Sequence, residues 1–245
     1  MMYLTLSLIA AMAPCVSMEG SLEATRTIRV LVVTGGHDFD RTGFDALWRS
    51  LRDITVRQVA HPEAHQWFAR EKANDYDVIV CYDMHQEIDQ TSRDNLVRLL
   101  KRGKGLMVLH HALENYQEWD EWHRMAGGRF LLTPKEVNGV RKPASTWKDD
   151  VPVRVRVAAP RHPVVRGLTD FDLVDEVYGN LDLLPTVTPL LKTDEPTSHP
   201  VIAWAHTYGR SRVVAIQPGH GPSAWTNPSY QKLLYQAIRW VAGSR

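Results

Sequence analysis

Three apolar runs in this chain each pass directly into a turn that carries histidine, and this recurrence narrows the available folds more than any other feature. Gly105-Leu106-Met107-Val108-Leu109 leads into His110-His111-Ala112. Ile28-Arg29-Val30-Leu31-Val32-Val33 leads into Thr34-Gly35-Gly36-His37-Asp38, and Arg212-Val213-Val214-Ala215-Ile216 into Gln217-Pro218-Gly219-His220-Gly221. An unbroken aliphatic run marks a strand buried on both faces, and in open parallel sheets the ligand crevice lies beyond the carboxyl ends of the strands. A single histidine after a strand is more often a hydrogen-bonded structural residue than a ligand or a base. Three at equivalent places point to one site.

The rest of the chain supplies the helices such a sheet needs. Phe44, Leu47, Trp48 and Leu51 recur at helical spacing after the first run, and Leu96, Leu99 and Leu100 do so within 91–101. Thr55 to Val59 alternates polar and apolar as an edge strand does, and Asp77 to Tyr82 is a further apolar run. Trp119, Trp122 and Met125 predict a helix over 114–126, and 228–241 a closing helix that buries Leu233, Leu234, Ala237, Ile238 and Trp240. Short strands are expected at 151–157, 187–191 and 201–205. Residues 127–150 read as a long irregular passage, with a lid over the strand ends as the preferred role. This alternation predicts an α/β fold, a doubly wound, mostly parallel sheet with helices on both faces.

The chain has 245 residues and a formal net charge of +1, which suits one domain, taken as 26–245, with a sizeable core. Near-neutral charge without a basic run removes the electrostatic term on which nucleic-acid binding depends, so no nucleic-acid partner is expected. Residues 1–17 contain an apolar run too short to span a bilayer, followed by small residues; they are expected to be a signal peptide, making the protein exported, periplasmic or extracellular, with no membrane span. Removing them leaves Cys81 alone inside an apolar run, where a thiol behaves as a small hydrophobe. Gly35-Gly36 lacks the third glycine of a dinucleotide fingerprint, so no nucleotide cofactor is expected. A homo-oligomer is left open.

Taken together, the motifs resemble the ThuA-like family of trehalose utilisation. The matching pieces are Val-Val-Thr-Gly-Gly-His-Asp-Phe at 32–39, Gly-Leu-Met-Val-Leu-His-His-Ala at 105–112, Gly-Gly-Arg-Phe at 127–130 and His-Pro-Val-Val-Arg-Gly-Leu at 162–168. Asp-Glu-Val-Tyr at 175–178, Pro-Val-Ile-Ala-Trp at 200–204 and the segment 209–221 continue the series. The resemblance implies a flavodoxin-like fold of the class I glutamine-amidotransferase type. The chain departs from many relatives at Leu131-Leu132-Thr133-Pro134, where they carry a histidine, and from glutamine amidotransferases at His110, where their nucleophilic cysteine stands. Glutamine chemistry therefore has no nucleophile here.

The resemblance further implies work on 3-keto glycosides, a small-molecule carbohydrate substrate. A ketone at C3 acidifies the C2 hydrogen, so a base can remove it and the group on C1 can leave by elimination. Such a route needs a base of near-neutral pKa, a stabiliser of the oxyanion and an acid for the departing oxygen. Histidine suits the proton transfers, and a divalent metal, zinc or similar, suits the oxyanion. The residues selected are His110, Glu176 and His220 as metal or oxyanion contacts, with His37 or His111 as proton carrier and Glu176 also in the catalytic set. Asp38, Tyr178, Asn180 and Trp225 are the candidates for sugar contact. His61, His65, His85, His123, His199 and His206 are assigned surface or structural roles. Cleavage or rearrangement by a lyase, hydrolase or isomerase remains open, and the competing expectation is a noncatalytic carbohydrate-binding protein on the same fold.

Overall fold

A computed structural model describes residues 26–137 and 139–243. The expected leader, 1–17, lies outside the described residues. Four strands open the fold: β1 (Ile28–Gly35), β2 (Ile54–Ala60), β3 (Val78–Asp83) and β4 (Gly105–Leu109), with α1 (Arg41–Ser50) and α2 (Gln90–Lys101) between them. After α3 (Asp120–Ala126) come β5 (Thr146–Val157), β6 (Phe171–Gly179), β7 (Thr188–Lys192), β8 (Val201–Tyr208) and β9 (Ser211–Ile216). The short α4 (Pro222–Trp225) and the long α5 (Pro228–Val241) close the chain.

These nine strands join one sheet in the order β2-β1-β3-β4-β9-β8-β7-β5-β6. The first five are mutually parallel. The remaining four add on antiparallel. The molecule is thus a mixed α/β protein whose large central sheet is parallel from its β2 edge as far as β9. β5 and β6 of the antiparallel wing alternate buried and exposed residues, a pattern that marks them as half-covered strands but does not give their partners or order. β3 and β4 are buried at every residue, as their aliphatic runs require, whereas β2 alternates and forms an edge.

Helices cover both faces. Phe44, Leu47 and Trp48 of α1 and Leu233, Leu234, Ala237 and Ile238 of α5 pack on Val30, Val32, Val80 and Met107. On the other side Leu96, Leu99 and Leu100 of α2 and Trp122, Met125 and Ala126 of α3 pack on Leu31, Val33, Ile79 and Leu106. Each fully buried Leu, Val or Ile contributes about 1.5–3 kcal/mol relative to exposure, so these two layers dominate stability. Asp40, Asp89 and Asn227 cap α1, α2 and α5 by accepting from the first-turn N–H groups of Gly43, of Ser92, and of Ser229 and Tyr230. Cys81 is buried within β3, and burial pushes its thiol pKa up, as an inert small hydrophobe requires.

Three expectations need correction. The helix over 114–126 begins only at Asp120; His110–Glu114 forms a separate 3₁₀ turn, and Tyr116 at φ 50 breaks the path between them. Residues 127–150 are not an irregular lid. Gly128–Arg129 pairs with Asp182–Leu183, Lys135–Val137 pairs with Val140–Lys142, and β5 begins at Thr146. The buried Asp182 carboxylate ties the segment down by binding both Arg129 and Lys142. Finally, Trp240 is only partly buried, its ring lying 4.9 Å from that of His162 at the sheet's flank.

Candidate functional site

The chain leaves β4 through His110, whose φ of 48 is in the left-handed region that a β-carbon disfavours. Such strain persists where the surroundings over-determine a side chain. Here they do so on both ring nitrogens. Nδ1 donates to the Gln217 carbonyl at 2.6 Å, which fixes the tautomer and turns Nε2 toward Glu176 Oε2 at 2.7 Å and the Tyr178 hydroxyl at 3.0 Å. Burial opposes charge on this fully enclosed imidazole, yet the Glu176 hydrogen bond and the neighbouring carboxylates outweigh it and raise its pKa. Glu176 is also penalised by burial, but His110 and His220 hold its carboxyl below the usual value.

His220 reaches the same carboxylate from β9. Its ring stacks on that of His110 at 5.0 Å, and Nδ1 lies 3.6 Å from Glu176 Oε2 and 3.3 Å from Asp149 Oδ1. Asp175 positions it. That buried carboxylate accepts from Gly219 N–H at 2.6 Å and His220 N–H at 3.1 Å, gripping the turn by its backbone. The Trp225 indole N–H donates to the Gly219 carbonyl from behind. One ligand atom each from His110, Glu176 and His220 lies within 4.8 Å of the others, the arrangement of a three-residue metal site.

His37 and His111 complete the cluster. Their rings stack at 4.6 Å, and the His37 ring meets that of His220 edge-on at 5.7 Å. His111 Nε2 donates to the Tyr82 carbonyl at 3.3 Å; burial, followed by the charges of His110 and His37, pushes its pKa down to about 2. The Nδ1 atoms of both His37 and His111 are buried without a hydrogen-bond partner. Tyr178 stacks on His110 at 4.8 Å. Glu114, buried beside this pair, is raised to about 7 by desolvation, with His110 opposing.

Beyond Glu176 and His220 opens a cavity of about 350 Å³. Phe39, Asp40, Asp149, Asp150, Val174, Asp175 and the Gly221-Pro222-Ser223 turn make up the rest of its wall. Five carboxylates in one wall repel anions, while offering acceptors to the hydroxyls of a neutral polyol or ligands to a cation.

The structure therefore brings together His37, His110, His111, Glu176, Tyr178 and His220. It does not bring in the others. Asp38 is exposed and does not line the cavity; Asn180 is exposed, its carbonyl accepting from Ser145; Trp225 is buried in the core against Phe44. Sequence reasoning passed over Asp175 and Glu114. The first sat unused in the Asp-Glu pair at 175–176, and the second follows His110 by one turn, which a helical reading of 110–114 would have aligned.

The family model ThuA, described as trehalose utilisation, matches residues 29–241. A ThuA-like protein from Parabacteroides merdae superposes with a TM-score of 0.75 at 16% identity, covering 89% of this chain and 91% of that one. One from Bacteroides uniformis gives 0.66 at 20% identity over 88% and 91%, and a cytoplasmic protein from Salmonella typhimurium 0.61 at 13% over 86% and 98%. None of the curated proteins matches.

Proposed function

Because this chain belongs to the ThuA family of trehalose utilisation, we propose that it is an exported enzyme that cleaves or rearranges 3-keto glycosides by proton abstraction and elimination. The observation that carries the reading is the convergence of His37, His110 and His220, which follow three separate strands, with Glu176 from within β6, beside one acidic cavity. We read the parallel order β2-β1-β3-β4-β9 as a flavodoxin-like doubly wound core, a class that binds ligands at this rim.

The donor set fits a divalent cation of the zinc type. His110 Nδ1 is backed by a backbone carbonyl, the usual orientation of a ligating imidazole, and a cation at Nε2 would take the place of the proton that Nε2 shares with Glu176. His110, Glu176 and His220 would hold the cation, whose chemistry is Lewis-acid stabilisation of developing negative charge. The remaining work falls to side chains. His37, partly exposed and beside His220, takes the C2 proton onto its imidazole. His111 serves as its stacked support, its own Nε2 being committed to Tyr82. As the C1–O bond breaks, the protonated His37 returns its proton to the departing oxygen. The wall carboxylates accept the sugar hydroxyls and select against phosphorylated sugars.

The test is turnover of a panel of 3-keto glucosides by the purified chain and by His37→Ala. Loss of about 100-fold or more in kcat with retained substrate binding is expected for a proton carrier. Tight binding without turnover by the unaltered chain would instead make it a carbohydrate-binding protein.

A further inference from the structure

On the opposite face of the sheet from the site above, a second group of imidazoles gathers at the same rim. His61 follows β2, His65 lies one turn further along and His85 follows β3. One ligand atom from each lies within 4.8 Å of the others. The rings of His61 and His85 stack at 3.9 Å with planes 7° apart, and His65 meets them at 4.6 and 5.6 Å. Three imidazoles packed on one another do little for a fold that has aliphatic side chains available.

The hydrogen bonds around them are those of ligands rather than of core residues. His61 Nε2 donates to the buried Asp83 carboxylate at 2.8 Å, and its side chain is only 3% exposed. That contact leaves Nδ1, which is buried with no hydrogen-bond partner. His65 Nε2 is 3.2 Å from the Tyr116 hydroxyl, which likewise frees its other nitrogen. A carboxylate behind one histidine and a hydroxyl behind another are the outer contacts that fix ring orientation around a metal.

We propose that His61, His65 and His85 form a second metal site, which holds a zinc-type divalent cation through three imidazoles and leaves a fourth position open to water or a small anion. Imidazole donors select the borderline metals over calcium and magnesium. Bonds of roughly 2.0–2.1 Å bring tetrahedral ligand atoms to ~3.4 Å apart. Closing the present spacing would require His65 and His85, both partly exposed, to rotate, His85 out of its stack on His61. Asp83 is a positioning residue that holds the His61 tautomer.

The test is zinc titration of the chelator-stripped full-length chain, with bound zinc measured by elemental analysis after gel filtration. His65→Ala and His85→Ala are each expected to weaken one binding event by about 100-fold or more. His220→Ala leaves this event intact, which separates it from the site of the proposed reaction. Histidine-selective NMR of the unaltered chain gives a readout that needs no variant: zinc should shift the ring signals of His61, His65 and His85. Signals that stay in place at saturating zinc, or equal zinc content and affinity in His65→Ala, His85→Ala and the unaltered chain, would overturn the proposal.

Discussion

His110 Nε2 and Glu176 Oε2 lie 2.7 Å apart, joining the end of the central parallel strand to the outermost antiparallel one. The pair links halves of the sheet that are 66 residues apart in sequence. Its chemistry depends on the negative charge. Glu176→Gln keeps the shape and removes the charge, so the proposed turnover should fall by about 100-fold or more. Divalent-metal content of the purified protein should fall with it. Unchanged metal content and unchanged kcat would exclude Glu176 from the reaction.

Asp175 acts through the backbone, and its effect should appear in stability as well as in rate. Asp175→Ala leaves the Gly219 and His220 N–H groups without their acceptor, which costs about 1–3 kcal/mol for each group that stays buried. Urea denaturation measures this loss. Asp175→Asn keeps one acceptor oxygen and should recover part of it, with kcat following His220 placement more closely than KM does.

Gly36 carries a backbone at φ +81, and an added β-carbon would stand 1.9 Å from the Met84 carbonyl oxygen. Gly36→Ala must therefore push the first and third strand ends apart. We expect a loss of roughly 1–3 kcal/mol, seen as a lower melting temperature, and displacement of His37 next to it.

Acid sensitivity should arise partly from Asp77, far from the site. Burial favours its neutral form, but hydrogen bonds from the Arg29 side chain and backbone, with the charges of Arg29 and Arg26, hold its pKa below the ordinary value. A carboxyl whose folded pKa is depressed stabilises the fold above its unfolded pKa and loses that contribution as pH falls through the folded one. Asp77→Asn should therefore be less stable than the parent by about 1 kcal/mol at neutral pH. Chemical denaturation should find the gap closing once the pH drops below the ordinary carboxylate range.

Much of this site was legible in the sequence because strands announce their ends. His37, His110 and His220 each follow an aliphatic run, and a parallel sheet brings such ends to one rim. Glu176 and Tyr178 were reached through motif resemblance. Asn180 and Trp225 were selected as residue types, and type does not carry direction: β6 has already ended at Asn180, and the Trp225 indole turns inward to Gly219. His61 and His85 followed strands as well, but β2 alternates and His85 is separated from its strand by Met84, so the pattern was diluted. Clustering with His65 depends on contacts between strands, which no single stretch contains.

Within β3, Tyr82 and Asp83 stand on opposite sides, the tyrosine packed with Phe44 and the aspartate bound to His61. Tyr82 also accepts from His111 through its carbonyl and donates to the His220 carbonyl, so two consecutive residues brace two separate histidine groups. Adding or deleting a single residue in this strand would exchange the two sides and dismantle both at once. Length variation among descendants of this chain should accordingly be tolerated in the ribbon around Gly139 and purged between Val78 and His85.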